Sequence, residues 1–224
     1  MTRPSFLVVF DVDGTLVDSQ DHIRAAMGAA FAANNLPAPP GARVLSIVGL
    51  SLPQAVATLA PELPPATRAR VVEAYKASFM GHSGAEPPAL FPGAMAALDG
   101  LAGRGDVILG VATGKSRRGL DRLILGHGLK GRFQTCQVAD DHPSKPHPAM
   151  LLAALSETGI PAERAVMVGD TTYDIDMARA ASVASIGVRW GYHPPEALQA
   201  AGAASLITGF GDLIPALERI WARG

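Results

Sequence analysis

Apolar runs alternate with helical patterns along most of the chain. The first run, residues 6–10, is five apolar residues long, which is typical of a strand buried on both faces of a parallel sheet. Strands alternating with helices indicate right-handed βαβ units. We therefore predict an α/β fold with a Rossmann-like, three-layer parallel sheet core. Its further strands are expected at Val107–Thr113, Phe133–Ala139, Ala165–Asp170 and Ser185–Trp190, with a weaker one at Ser205–Thr208. Helices are expected at Ala94–Ala102, Arg117–His127, Pro148–Thr158, Asp174–Ala181 and Pro195–Ala201.

The stretch from about residue 20 to residue 90 breaks this alternation. Ile23, Met27, Ala30 and Phe31 recur at helical spacing, and prolines divide the stretch into several segments. This pattern predicts an all-helical domain inserted after the first strand. We expect residues 19–90 to form that insert, and residues 1–18 with 91–224 to form the α/β core.

Composition limits the classes of function. The 224-residue chain has a formal net charge of −1 and a pI near 6.6, which gives no basic surface for nucleic acid or anionic membrane. The single cysteine, Cys136, cannot form an internal disulfide and suits a reducing compartment. No apolar stretch reaches the length of a membrane span, and Asp11 interrupts the amino-terminal run. We expect a soluble, cytoplasmic protein, either a monomer or a homodimer.

Two acids follow the first predicted strand. Asp11 and Asp13 stand where the apolar run stops, and Gly14 permits a sharp turn after them. Carboxylates inside a buried strand would carry a large desolvation cost, so we expect them at its carboxyl end. Open α/β sheets place their ligand crevice at that edge. A pair of acids there is suited to metal binding, nucleophilic attack or proton transfer.

Other predicted strands also end in groups suited to a phosphate or a cation. The second strand ends at Thr113-Gly114, where a hydroxyl precedes a backbone amide that an anion can approach closely. A proline-rich loop after the third strand carries Lys145, and the fourth strand ends at Asp170, with Asp174 nearby. Four strand ends that deliver these groups to one crevice predict a phosphate-handling site.

Charge balance indicates which partners such a site needs. Two like charges about 4 Å apart repel by roughly 4 kcal/mol at an effective dielectric constant near 20. Ionised Asp11, Asp170 and Asp174 beside a phosphate would therefore need Lys145 and a divalent cation. The oxygen ligands favour Mg²⁺ over Zn²⁺. Attack by one carboxylate on phosphorus would give an aspartyl-phosphate, and a second carboxyl could move the protons.

Four segments together resemble the motifs of haloacid dehalogenase-like phosphatases. They are residues 11–19 (DVDGTLVDS), Thr113-Gly114, residues 145–148 (KPHP) and residues 169–174 (GDTTYD). The resemblance implies that Asp11 is the nucleophile and that Asp13 is the acid/base, which also lends its backbone carbonyl to the metal. It further implies Asp11, Asp13, Asp170 and Asp174 as Mg²⁺ ligands, the last directly or through water. Thr113, Gly114 and Lys145 would then bind the phosphoryl group.

The same resemblance implies a substrate class. The helical insert looks like the family's C1-type cap, a lid over the site. An acid at Asp13 is typical of the phosphate-transferring branch, and residues 113–120 and 190–198 look most like those of phosphoglycolate phosphatases. The expected substrate is a small phosphomonoester, with 2-phosphoglycolate first. A 5'-nucleotidase, a pyrophosphatase and a sugar-phosphate phosphatase remain alternatives on the same core.

Other readings are less well supported by the residues. A receiver-like signalling module also places acids, a Thr and a Lys at strand ends, but it needs neither a helical insert nor an acid/base. A glycosyltransferase with a D-x-D motif would need a nucleotide fingerprint, which we do not find. We expect Lys115 to be a solvated residue at a helix start, and Arg43 and Lys76 of the insert to face solvent. Where related sequences carry a helix-ending glycine, this chain has Ser182.

Overall fold

The computed structural model describes residues 6–81 and 87–222. The strands are β1 Phe6–Phe10, β2 Val107–Thr113, β3 Thr135–Val138, β4 Ala165–Gly169, β5 Ala184–Val188 and β6 Ser205–Ile207. The helices are α1 Gln20–Ala32, α2 Gly41–Leu45, α3 Leu52–Leu59, α4 Pro65–Gly81, α5 Ala94–Ala102, α6 Arg117–Gly126, α7 Ala149–Thr158, α8 Thr172–Ala180, α9 Pro195–Ala201 and α10 Leu213–Trp221.

All of these strands form one parallel sheet in the order β3-β2-β1-β4-β5-β6. Strand β1 lies at the centre, with Phe10 opposite Val111 of β2 and Val168 of β4. The chain moves outward from β1 to β2 and β3, and then returns to the other side of β1 with β4. This reversal of direction creates a crevice beyond the carboxyl ends of β1 and β4. The predicted parallel α/β fold is confirmed.

Strand β1 shows why the sheet is buried on both faces. Its alternate side chains point in opposite directions, so that Val8 and Phe10 join the cluster under α5, α6 and α10, whereas Leu7 and Val9 join the one under α7 and α8. All of these β1 side chains are fully buried. The continuous apolar run therefore has a direct structural cause, since neither face of the strand meets water.

Helices α1–α4 form what we call the helical segment, residues 20–81. It has its own hydrophobic cluster, which includes Met27, Val56 and Val71. Two chain connections that run side by side join the segment to the sheet. They bond to each other: Asp18 donates its N–H to the carbonyl of Ala89, and Phe91 donates its N–H to the carbonyl of Leu16. The insertion point after β1 follows the predicted pattern, whereas the exact bounds of 19–90 stay a prediction. Residues 82–86, which fall within those bounds, lie outside the described residues.

Helix α8 begins and ends differently from the prediction. It starts at Thr172 rather than Asp174, because Thr171 caps it: the Thr171 hydroxyl and the Asp174 carboxylate each bond the other's backbone N–H. Its end lacks glycine, as expected, and Ser182 takes the left-handed conformation (φ 57°) while Val183 bonds back to the carbonyl of Ala178. A serine in that conformation costs about 1 kcal/mol relative to glycine.

Within residues 6–81 and 87–222, we find no helix with the length and apolar character needed to cross a bilayer.

Candidate active site

Three charged side chains from distant parts of the chain meet at the carboxyl end of β1. The Lys145 ammonium donates to Asp11 Oδ1 at 2.7 Å and to Asp174 Oδ1 at 2.6 Å. Each of these three side chains is at most 1% exposed. Asp11 follows β1, Lys145 lies in the loop after β3, and Asp174 lies in the first turn of α8. The predicted convergence of strand ends is therefore present.

Asp170 completes this cluster from the end of β4. Its Oδ1 accepts the Thr15 hydroxyl at 2.9 Å, and its Oδ2 accepts the backbone N–H of Tyr192 at 2.9 Å. Gly14 makes room for it, since a Cβ at that position would lie 2.2 Å from Asp170 Oδ2, and the backbone there has φ +84°. The glycine after the paired acids thus serves both the turn and the packing of a buried carboxylate.

Burial and mutual repulsion set the electrostatics of the cluster. Burial, opposed by Lys145 and reinforced by Asp174, raises the pKa of Asp11 to about 7. Burial also raises the pKa of Asp170 well above its usual range, with further repulsion from Asp11 and Asp174. Burial alone would lower the pKa of Lys145, but the carboxylates of Asp11 and Asp174 outweigh it and raise that pKa. The cluster has more acid than its lysine neutralises, so it favours a further cation.

The same acids fit a divalent metal ion. Carboxylate oxygens of Asp11, Asp170 and Asp174 lie within 4.8 Å of one another. Asp11 Oδ2 is buried, and among the described residues it has no hydrogen-bond partner. A buried oxygen without a partner is costly unless something else binds it. Because all these donors are carboxylate oxygens, the set suits a hard cation.

Asp13 lies beside this cluster in a different set of contacts. Its Oδ1 accepts the Ser19 hydroxyl at 2.5 Å, and the Tyr192 hydroxyl lies 3.1 Å from the Ser19 hydroxyl. The Lys115 ammonium lies 2.7 Å from both Asp13 oxygens. The Asp13 carboxylate thus accepts hydrogen bonds from Ser19 and Lys115. A backbone contact from Asp13 to a metal, as the family resemblance implies, stays a prediction.

The expectation that Lys115 is a solvated residue at a helix start is wrong. Its side chain is only 11% exposed and pairs with Asp13. Helix α6 begins after it, with Ser116 as the cap whose hydroxyl accepts the N–H of Gly119. Lys115 therefore belongs to the strand end rather than to the helix, and its side chain extends back toward β1.

Thr113 and Gly114 end β2 next to β1. The Thr113 side chain is 1% exposed, and its hydroxyl accepts the N–H of Lys115 at 3.2 Å. Gly114 contacts the helical segment closely, because a Cβ there would lie 2.6 Å from the carbonyl oxygen of Leu50 and 2.7 Å from that of Gly49. The backbone of residues 49–50 thus passes directly over this strand end.

Several further contacts hold the helical segment against the sheet. The Ser46 carbonyl accepts the Tyr173 hydroxyl and the His193 Nε2–H, both at 3.1 Å, and Ser51 donates its N–H to the Ser144 hydroxyl at 2.8 Å. Burial, with Asp13 nearby, raises the pKa of the Tyr75 hydroxyl. Loop 46–51 and helix α4 therefore lie over the crevice.

Arg43 and Lys76, which we expect to face solvent, both make contacts within the helical segment. Arg43 donates to the carbonyl of Leu59 at 3.0 Å, which satisfies the end of helix α3. Lys76 pairs with Glu73 on the exposed face of helix α4. Both residues are exposed, so the prediction of a solvent-facing position is confirmed for each.

Sequence reasoning assigned no role to several residues that orient the acids. Thr15 and Ser19 lie within the first motif, spaced so that one hydroxyl reaches Asp170 and the other Asp13. Thr171 lies within the last motif and binds Asp174 Oδ2 at 2.7 Å through its hydroxyl. The sequence feature that could have identified these residues is a hydroxyl-bearing side chain close to a motif acid. Tyr75 gave none, because its proximity to Asp13 depends on how helix α4 packs.

Comparison with known proteins gives a consistent result. A family model described as haloacid dehalogenase-like hydrolase matches residues 8–188. A probable phosphatase, IndB, of Dickeya dadantii (strain 3937) is 36% identical over 218 residues, covering 96% of this chain and 94% of that protein. A phosphoglycolate phosphatase of Rhodospirillum rubrum is 33% identical over 214 residues, covering 92% and 88%. Among solved structures, a hydrolase from Pseudomonas syringae superposes with a TM-score of 0.83 at 25% identity, covering 97% of this chain and 99% of that one.

Proposed function

The chain belongs to the haloacid dehalogenase-like hydrolases, and from this premise we propose that it is a Mg²⁺-dependent phosphatase that acts through an aspartyl-phosphate on Asp11. The observation that carries the proposal is the position of Asp11, which is buried at the crevice with Oδ1 bonded to Lys145 and Oδ2 without a partner among the described residues. Lys145 orients this carboxylate, so that one of its oxygens can face the metal and the other can attack phosphorus.

Lys145, Thr113 and Gly114 would hold the transferring phosphoryl group. Lys145 is fixed by Asp11 and Asp174, so its ammonium needs little reorganisation when negative charge builds on phosphoryl oxygens. The Thr113 hydroxyl and the backbone amide of Gly114 would supply neutral donors from the adjacent strand. These donors would hold the phosphoryl group next to Asp11, in position for transfer to its carboxylate.

Asp13 would serve as the acid/base. Asp13 comes two residues after Asp11, and the contacts with Ser19 and Lys115 fix its carboxyl group in one orientation. In the first half-reaction the carboxyl of Asp13 would give a proton to the departing ester oxygen. In the second it would take a proton from the water that attacks the phosphoryl group on Asp11.

A divalent cation would be held by Asp11, Asp170 and the Asp13 carbonyl, with Asp174 contributing directly or through water. Oxygen-only ligands favour Mg²⁺. When bound, such an ion offsets the negative charge shared by the acids and the phosphate, so that the two can approach. Thr15 and the backbone N–H of Tyr192 keep the Asp170 carboxylate in place for this purpose.

The substrate that we propose is a small phosphomonoester, with 2-phosphoglycolate as the leading candidate. Curated relatives named phosphoglycolate phosphatase match more than 90% of the chain, at 33% and 30% identity. A receiver-like signalling role is not proposed, since family membership and the phosphatase relatives indicate turnover.

Hydrolysis assays test this proposal directly. Purified protein, stripped of metal by chelation, should hydrolyse 2-phosphoglycolate only after Mg²⁺ is added, and faster than nucleoside monophosphates, hexose phosphates or pyrophosphate. Asp11→Asn should lower kcat by at least about 10⁴-fold and leave the circular dichroism spectrum unchanged. Asp121→Asn, an exposed acid on helix α6, is the matched control and should retain full activity. Substantial turnover by the Asp11 variant would refute the assigned nucleophile.

A further inference from the structure

Lys115 is a second, largely buried cation at the crevice, and in the function proposed above it binds neither the phosphoryl group nor the metal. Its ammonium is 2.7 Å from each oxygen of Asp13, and both side chains are 11% exposed. Lys145 already serves the oxygens of Asp11 and Asp174 on the other side of the cluster. The crevice therefore has one lysine beside the nucleophile and another beside the proposed proton donor.

The position of Lys115 places it next to the leaving group rather than the phosphoryl group. If Asp13 protonates the departing oxygen, that oxygen must lie within hydrogen-bonding distance of the Asp13 carboxyl group. The Lys115 ammonium is one further hydrogen bond away, so it lies roughly 3–5 Å from the departing oxygen. A substituent on the carbon that carries this oxygen can therefore reach Lys115.

Ser19, Tyr192 and Tyr75 bring neutral hydroxyls to the surroundings of Asp13. Ser19 donates to Asp13, the Tyr192 hydroxyl contacts that of Ser19, and Tyr75 approaches Asp13 from helix α4. An anion on the leaving group would be repelled by Asp11 and Asp13, and these hydroxyls cannot neutralise it. Lys115 has the charge that can.

We propose, on the basis of the function proposed above, that Lys115 selects substrates whose leaving group carries a carboxylate on the carbon next to the ester oxygen. In this role the ammonium moves its contact from Asp13 to the substrate carboxylate. Asp13 is then in contact with the ester oxygen instead of the lysine. Phosphate esters with a neutral leaving group leave Lys115 paired with Asp13, and they bind more weakly.

Two substrates of matched size test this selection in the unmodified protein. In 2-phosphoglycolate the ester carbon bears a carboxylate, whereas in 2-hydroxyethyl phosphate it bears a neutral hydroxymethyl group. A charge-assisted contact in a partly buried site predicts a kcat/KM about 10- to 100-fold higher for 2-phosphoglycolate. Equal kcat/KM values would overturn the selection while leaving the phosphatase proposal intact. Hydrolysis of neither substrate would instead refute the phosphatase proposal itself.

Variants at position 115 test whether Lys115 is responsible for this substrate preference. Lys115→Met keeps the length of the side chain and removes the charge, so it should cancel most of the preference, chiefly by raising KM for 2-phosphoglycolate. Lys115→Arg should keep part of it. Lys76→Met, at an exposed lysine paired with Glu73, should leave both substrates unaffected. If Lys115 only orients Asp13, Lys115→Met will lower kcat for both substrates by the same factor, and that result would contradict the proposal.

Discussion

Two lysines of this protein form ion pairs of nearly equal length in different surroundings. Lys145 lies 2.7 Å from Asp11 in the crevice, where both side chains are at most 1% exposed. Lys76 lies 2.8 Å from Glu73 on the outer face of helix α4, where the side chains are 55% and 70% exposed. Water screens the second pair and is excluded from the first, so the same distance represents very different energies.

The comparison extends to the regions that contain these pairs. At the carboxyl edge of the sheet, buried strands deliver acids and a lysine to one place. The helical segment has its own apolar cluster, and it contacts the crevice through loop 46–51 and Tyr75. We infer that the sheet edge carries the chemistry, including the selection proposed for Lys115, and that the helical segment covers it.

Removal of Lys145, the lysine buried between Asp11 and Asp174, should have the largest combined effect on stability and activity. Lys145→Met leaves Asp11 and Asp174 close together in the interior without their cation, so it should destabilise the metal-free protein by about 3–5 kcal/mol. It should also lower kcat by at least about 10²-fold. Lys76→Met should cost less than about 1 kcal/mol and leave kcat unchanged. Chemical denaturation and steady-state kinetics measure both, and similar losses in the two variants would contradict the comparison.

The pH dependence of stability should reveal the same buried acid. The raised pKa of Asp11, about 7 against an ordinary 3.8, means that the folded protein keeps a proton that the unfolded chain releases. The stability linked to this proton is fully present below pH 3.8 and is lost as the pH rises through about 7. Between about pH 5 and pH 8 the loss should be on the order of 3 kcal/mol without metal.

Melting temperatures across this pH range, in chelator and in Mg²⁺, check that expectation. Asp11→Asn has no proton to lose, so its melting temperature should fall less between pH 5 and pH 8. Mg²⁺ binds the ionised acids and should reduce the fall in the unmodified protein. An unmodified protein whose stability rises steadily from pH 5 to pH 8 in chelator would show that Asp11 is not buried as described.

A third change addresses the contact between the two regions. Gly114→Ala should push loop 46–51 away from the strand end, because the added Cβ would approach the carbonyl oxygens of Leu50 and Gly49 to 2.6 and 2.7 Å. We expect kcat/KM to fall by about 10- to 100-fold. Gly28→Ala is the control: a Cβ at Gly28, inside helix α1, meets nothing within 4 Å, and alanine there should add up to about 1 kcal/mol of stability. Equal activity of the two variants would show that the loop contact is unimportant.

The sequence predicted the sheet well because its signals are strong and local. Strand β2 matches its predicted bounds of Val107–Thr113, and β1 ends where the apolar run ends. Strand β3 is shorter than predicted, Thr135–Val138 rather than Phe133–Ala139, since only those residues pair with β2. Helix α10 was not predicted, although its apolar face packs through Leu213, Ala216 and Leu217.

The residues of the site also differ in whether the sequence could predict their positions. Asp11, Lys145 and Asp170 could be located because each follows a strand in a parallel sheet, and topology alone brings such positions together. Lys115 was misjudged, because the direction of a long side chain is set by packing that sequence spacing does not describe. The loop over Gly114 was not predictable either, since it depends on how two separately packed regions meet.

Identification of the residue that carries the phosphoryl group tests the central claim most directly. Asp13→Asn protein, mixed with 2-phosphoglycolate and Mg²⁺ and then quenched in acid within milliseconds to seconds, should retain a phosphoryl group, since hydrolysis of the intermediate needs the base. Peptide mass spectrometry should locate that group on Asp11, and Asp11→Asn should trap none. A phosphoryl group on any other residue, or its absence in a variant that still releases glycolate, would contradict attack by Asp11.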